Sequence, residues 1–170
     1  MKKMISALLA IMMMVTLTAC SGKTEVANLE GTTSDIIDQV YEKQESGLRV
    51  ETMPVDLSDA DAVKAYTGLD SAEQLKEVSA SESMMGSQPY SLVMVRVKDA
   101  NNAKDVAEAM KAGIDQRKWI CVEADDLAVA AYGDVVMLVM VGSNFGDLVT
   151  SAQMVAAFKD VCGGTLSVEL

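Results

Sequence analysis

The chain contains no histidine. That absence removes the commonest general base near neutral pH and the commonest side-chain ligand of transition metals. Cations are scarce as well: 14 Lys and Arg stand against 25 Asp and Glu, a formal charge of −11. Such a surface repels phosphate backbones and anionic headgroups, which disfavours nucleic acid as a partner and adhesion of the folded domain to acidic lipid. Cysteine occurs three times in the 170 residues, as Cys20, Cys121 and Cys162. A chain of this size buries roughly 70% of its unfolded surface and needs no disulfide staples. Also missing is an apolar run of the roughly 20 residues that cross a bilayer as a helix.

What the N-terminus does have is a shorter run with informative flanks. Lys2 and Lys3 precede an apolar stretch from Met4 to Val15, and small residues then lead to Cys20. Length and flanks fit an export signal rather than a retained membrane span. Leu17, Thr18 and Ala19 stand immediately before Cys20 in apolar-polar-small order. This resembles the lipobox of bacterial lipoprotein precursors, which implies a diacylglyceryl thioether on Cys20 and cleavage between Ala19 and Cys20. Two acyl chains hold a protein on a bilayer where one binds only marginally, so the lipid bilayer becomes the first expected partner. An ordinary secretory signal with an incidental Cys20 is the competing reading. The expected division is a signal peptide over 1–19, the lipidated Cys and a flexible, small-polar tether over 20–32, and a single domain over 33–170.

Within that domain, Thr33-Ser34-Asp35 signals a helix start, Ile36, Ile37, Val40 and Tyr41 share one face, and Gly47 ends the segment. Leu48 to Leu57 alternates in part, but Pro54 demotes any strand there to an edge. Ser58-Asp59 cap a short helix through Tyr66, with Gly68 as its stop. Residues 73–84 read as a long polar strand, and Tyr90 to Val97 as an apolar one beyond the turn Met85–Pro89. Ala103, Val106, Ala107, Met110 and Ile114 make a clean amphipathic helix face. Trp119 to Val122 fits either a short strand or an apolar lid. Leu127–Tyr132 and Val135–Val141 flank Gly133-Asp134, a tight-hairpin signal, and the second run is apolar on both faces, hence central. A last helix is expected from about Asp147 to Val161, and Thr165 to Leu170 as a tail or short edge strand. The fold class is therefore α+β, an antiparallel sheet of about four to five strands with helices packed against it. Strand, strand, helix occurs over 73–114 and again over 127–161, which suggests a two-fold β-β-α repeat.

Candidate sites each have a plainer reading. Gly142-Ser143-Asn144-Phe145-Gly146 joins a buried strand to a helix, where backbone N–H groups can hold an anion, but it lacks a P-loop lysine and a third dinucleotide glycine. Asp56, Asp59 and Asp61, and separately Glu123, Asp125 and Asp126, could hold a hard cation, yet neither group has the order or turn glycine of an EF-hand. Solvated surface is the better account, and no metal or other cofactor is expected. Met94, Met137 and Met140 sit inside apolar strands and read as core filler rather than soft-metal ligands. Met84 and Met85, beside Gly86 and Pro89, are different: two apolar residues at a loop tip make a contact patch. Trp119, beside Arg117 and Lys118, is a candidate for the same patch or a core-edge indole. Cys121 and Cys162 could pair on an exported protein or stay as buried thiols. As a nucleophile, Cys121 has no histidine to activate it.

The strand at 90–98, the helix at 101–114, and the stretch from Lys118-Trp119 through Tyr132-Gly133-Asp134-Val135-Val136 resemble small clostridial-type lipoproteins of the domain-of-unknown-function family 4358. The resemblance covers roughly residues 33–162 and lies in the order and length of segments. It implies a Gram-positive cell surface and assigns no catalytic residue or ligand. With no acid/base or nucleophile pairing in the sequence, the expected function is a non-enzymatic binding or interaction domain at the cell envelope, with an envelope protein as partner. The alternative is a small-molecule or peptide-binding lipoprotein feeding a transporter or sensor, for which the chain is short of the usual two lobes and cleft.

Overall fold

Six strands form one antiparallel sheet with helices on both faces. The computed structural model describes residues 28–170. Leu17, Thr18, Ala19 and Cys20, with the tether as far as residue 27, lie outside the described residues. In chain order the elements are α1 (Thr33–Lys43), β1 (Val50–Pro54), α2 (Ala60–Thr67), β2 (Leu75–Ser83), β3 (Tyr90–Val97), α3 (Ala103–Gly113), β4 (Asp126–Tyr132), β5 (Val135–Val141), α4 (Ser151–Val161) and β6 (Val168–Glu169). Across the sheet the order is β1-β2-β3-β5-β4-β6. The α+β class holds, and the sheet exceeds four to five strands because both weak segments pair. β1 joins as an edge ending at Pro54, and two-residue β6 lies against Ala130 and Ala131.

β3 and β5 are neighbours at the centre, paired from Tyr90↔Val141 to Arg96↔Val135, and both are buried along their whole length. The pleat sends alternate side chains to opposite faces. Val93, Val95 and Val97 join Val136, Leu138 and Met140 in a core roofed by α2 and α3. Leu92 and Met94 join Val135, Met137, Val139 and Val141 in a second core roofed by α1 and α4. A sheet apolar on both sides in its middle requires a cover on each, and four amphipathic helices supply it.

Local signals set the boundaries. Thr32 caps α1 in a capping box with Asp35, and Asp59 caps α2 by accepting from the N–H groups of Asp61 and Ala62. Gly68 ends α2 at φ 77°, and no side chain fits there: a Cβ would meet the backbone of Ile114 at 2.3 Å. The last helix departs from expectation, starting at Ser151 rather than Asp147. Its cap is Thr150, boxed with Gln153, and Phe145 to Thr150 is a turn that leaves Leu148 exposed and Val149 buried.

The domain also begins earlier than residue 33. Arg96, on the second-core face of β3, donates through Nη2 to the carbonyls of Leu29 (3.0 Å) and Gly31 (2.8 Å). Its Nη1 contacts both carboxylate oxygens of Asp134 at 2.8 and 2.9 Å, and Glu77 lies 4.0 Å from Nε. Leu29 packs against the second core. Residues 29–32 are thus part of the fold and not tether.

Candidate functional site

Three connections converge at one end of the sheet. The β2–β3 turn carries Met84 and Met85, exposed at 57% and 54%. The α3–β4 connection, residues 114–125, forms no strand, so Trp119–Val122 takes the loop form of its two expected readings. Its ends are closed on each other. Gln116 and Ala124 exchange two hydrogen bonds, Ala124 N–H to the Gln116 carbonyl at 2.9 Å and Gln116 Nε2 to the Ala124 carbonyl at 2.6 Å, and Arg117 Nε meets Glu123 at 2.6 Å. The result is an Ω-type loop whose tip is Ile120, 88% exposed, followed by Cys121 in the left-handed region at φ 66°. The third connection runs from Gly142 to Thr150 and presents Leu148, 48% exposed.

Lys118 pins the Ω-loop to the sheet. Its Nζ pairs with Glu82 of β2, lies 3.3 Å from Ser91 Oγ, and sits 4.9 Å and 5.2 Å from the ring centres of Tyr66 and Trp119. A half-buried cation held by a carboxylate and two aromatic faces is a stronger tie than an exposed ion pair. Trp119 is therefore half-buried at the edge of the first core. Of the expected contact residues, Met84 and Met85 are exposed; Trp119 is the core-edge indole, and its neighbour Ile120 takes the exposed place. Burial of one apolar neighbour and exposure of the next depends on which way the loop turns, which the residue types do not encode.

The remaining candidates are spoken for locally. Asp56 accepts from Ser58, and Asp59 caps α2. Glu123 pairs with Arg117, Asp125 accepts from Ser143, and Asp126 accepts from the N–H (2.7 Å) and hydroxyl of Ser151. These hydrogen bonds from the Ser143 N–H and hydroxyl hold the Asp125 carboxyl below its ordinary range. Among the described residues no three metal-ligating side chains gather in one place. The anion at the start of α4 is the chain's own Asp126. Gly142 answers to packing, since a Cβ there would fall 2.7 Å from Pro89 Cγ. Cys121 and Cys162 are unpaired: Cys121 is exposed, while burial raises the Cys162 thiol to about 12. Met94, Met137 and Met140 are fully buried, as core filler should be. A surface cleft of about 410 Å³ lies between the α2–β2 connection and α3, lined by Leu69, Asp70, Glu73, Asp105, Val106 and Ala109 among others.

Two buried polar groups escaped the sequence reading. One is the Arg96–Asp134 pair. The other lies under α1, where Thr33 and Ser34 bond to Ser79, and Tyr41 bonds to Ser81 (2.8 Å) and Tyr90 (3.1 Å). Burial pushes the Tyr41 phenol up, and pushes that of Tyr90 well up, where the neighbouring Tyr41 adds to the effect. An arginine inside an otherwise apolar strand was the available signal for the first pair, because a buried cation needs a partner.

Comparison with protein-family models, with curated proteins and with solved structures finds no match to this chain.

Proposed function

We propose that the chain is a lipid-anchored extracytoplasmic lipoprotein of the bacterial cell membrane, whose domain serves as a non-enzymatic interaction module at the envelope. The observation that carries this reading is Leu17-Thr18-Ala19-Cys20 at the end of a short apolar run behind Lys2 and Lys3. An acidic domain gains nothing from anionic headgroups, so diacylglyceryl on Cys20 would supply the membrane affinity. The resemblance to the clostridial-type lipoproteins points the same way. For the interaction role, the support is the loop end of the sheet. Its polar side chains are largely engaged in internal hydrogen bonds and ion pairs, while Met84, Met85, Ile120 and Leu148 stand out into solvent. Exposed apolar residues gathered at one end of a domain mark contact surfaces.

The test of the anchor is Cys20→Ala in the full chain, followed by separation of membranes from soluble material. The variant is expected to leave the membrane fraction. Unchanged membrane association would refute the lipoprotein reading.

A further inference from the structure

The point where the chain enters the fold and the points where apolar side chains leave it lie at opposite ends of the sheet. Arg96, near the end of β3, grips Leu29 and Gly31, and the chain leads back from there toward Cys20. Tyr90, at the other end of the same strand and about 20 Å away at ~3.3 Å per residue, borders the three loops. Among the described residues five large apolar side chains are exposed, and four of them, Met84, Met85, Ile120 and Leu148, occupy these loops or their margins. The loops are bound to one another. Lys118 joins the Ω-loop to β2, Gly142 donates its N–H to the Pro89 carbonyl at 2.8 Å, and Gly47 packs against Leu148.

Exposed charge around these tips is acidic in excess, although Arg49, whose carbonyl accepts from the Met84 N–H at 2.9 Å, is exposed there too. Both cations of the Ω-loop have carboxylate partners, Arg117 in an exposed pair with Glu123 and Lys118 in a largely buried one with Glu82. Glu45, Asp115, Asp125 and Asp147 are exposed, and among the described residues none has a cation within 4.0 Å. Apolar points with an acidic rim complement a surface that is apolar at its centre and basic around it.

We infer that the loop end is the docking surface for a protein partner whose contact face is an apolar patch rimmed by Lys or Arg. A second copy of this chain would bring a matching set of carboxylates and be repelled, as would anionic lipid. The direction of approach, from the side away from the bilayer, rests on the lipid anchor proposed above; the chemistry of the surface does not.

The experiment uses the full chain in intact cells, with a photoreactive phenylalanine analogue in place of Met85 or Ile120, and in place of Gln39 or Lys104 on the helices as controls. The two tip positions should crosslink to one protein species through a segment rich in Lys or Arg, and the helix positions should not. Glu45→Lys combined with Asp147→Lys alters side chains that make no bond in the fold, and should cut the tip adduct about tenfold if each rim charge contributes roughly 0.7 kcal/mol. Equal yields from the helix positions, adducts between copies of this chain, no adduct at either tip, or a yield indifferent to charge reversal would overturn the inference. Fractionating the same cells reports the anchor separately. Tip adducts in a chain absent from the membrane fraction would sink the lipoprotein reading and uphold the docking surface.

Discussion

Asp134→Ala removes one carboxylate from a place where the Arg96 side chain is 7% exposed and its partner 11%. Deleting one member of a buried ion pair typically costs about 3–5 kcal/mol, because the other charge stays behind without compensation. Here the loss should be smaller. Arg96 keeps the carbonyls of Leu29 and Gly31, and Glu77 waits 4.0 Å from Nε. A loss of ~2–4 kcal/mol is expected, a large share of the ~5–15 kcal/mol that holds a domain together. With a urea slope of about 2 kcal/mol per molar, the midpoint should fall by ~1–2 M at unchanged slope. Arg96→Met supplies the complementary variant. It also frees the carbonyls of residues 29 and 31, so a glutamate-specific protease should cut at Glu30 faster in Arg96→Met than in Asp134→Ala. The double variant should be less destabilised than the two singles added together, by ~1–3 kcal/mol of coupling. Additive losses, a midpoint shift under about 0.3 M, or equal cleavage at Glu30 would refute the pairing.

Two other perturbations probe packing and titration. Gly113→Ala would place a methyl group 2.2 Å from the Gly68 carbonyl oxygen, so overpacking of ~1–3 kcal/mol should outweigh the helix-propensity gain and lower the melting temperature; Gly86→Ala, with nothing within 4 Å, should leave it unmoved. Tyr41 and Tyr90 both have phenols raised by burial. A group whose pKa is higher folded than unfolded contributes stability that is complete below the unfolded value and fades as pH climbs toward the folded one. Stability should therefore decline above pH ~10, and Tyr90→Phe should flatten that decline in melting curves taken across alkaline pH; an unchanged alkaline slope would count against the buried pair.

Most of the frame was legible because each element announces itself through local chemistry. The face of α3, the hairpin at Gly133-Asp134 and the stop at Gly68 all follow from spacing and from residues with particular backbone freedom. Two of the three departures have non-local causes. At α4 the competing signals are local: Leu148 and Val149 extend its apolar letters toward Asp147, while Thr150 and Gln153 carry the capping-box signature of the true start. Residues 29–32 looked like tether because nothing in their small, polar composition reports that Arg96, far along the chain, will hold their carbonyls. Trp119 is the core-edge indole that its apolar neighbours indicate, but nothing in those neighbours tells that Ile120 beside it will face solvent. The proposed contact surface depends on the path of a loop, and that path is fixed by Lys118 reaching Glu82 across the fold.

The β-β-α repeat also takes its meaning from long-range packing. The strand hairpins do recur, β2–β3 and β4–β5, and they meet side by side through antiparallel β3 and β5. A two-fold axis that exchanges two adjacent antiparallel strands must stand normal to the sheet, and such an axis keeps each helix on its own face. Yet α3 packs on the first core and α4 on the second. The repeat is one of order along the chain and not of rotation in space. Placing the two helices on opposite faces is what lets β3 and β5 be apolar on both sides, with α2 and α1 completing the two covers. The loops at the Met84 end contribute to both cores, Ala124 and Trp119 to the first and Phe145 and Val149 to the second, while Met84, Met85, Ile120 and Leu148 stay outside. The exposed apolar residues there are not spillover from an incomplete core. They lie beyond both cores, on connections held in place by Lys118, Gln116 and the Gly142–Pro89 contact. On the reading proposed above, that arrangement leaves them free to meet another molecule.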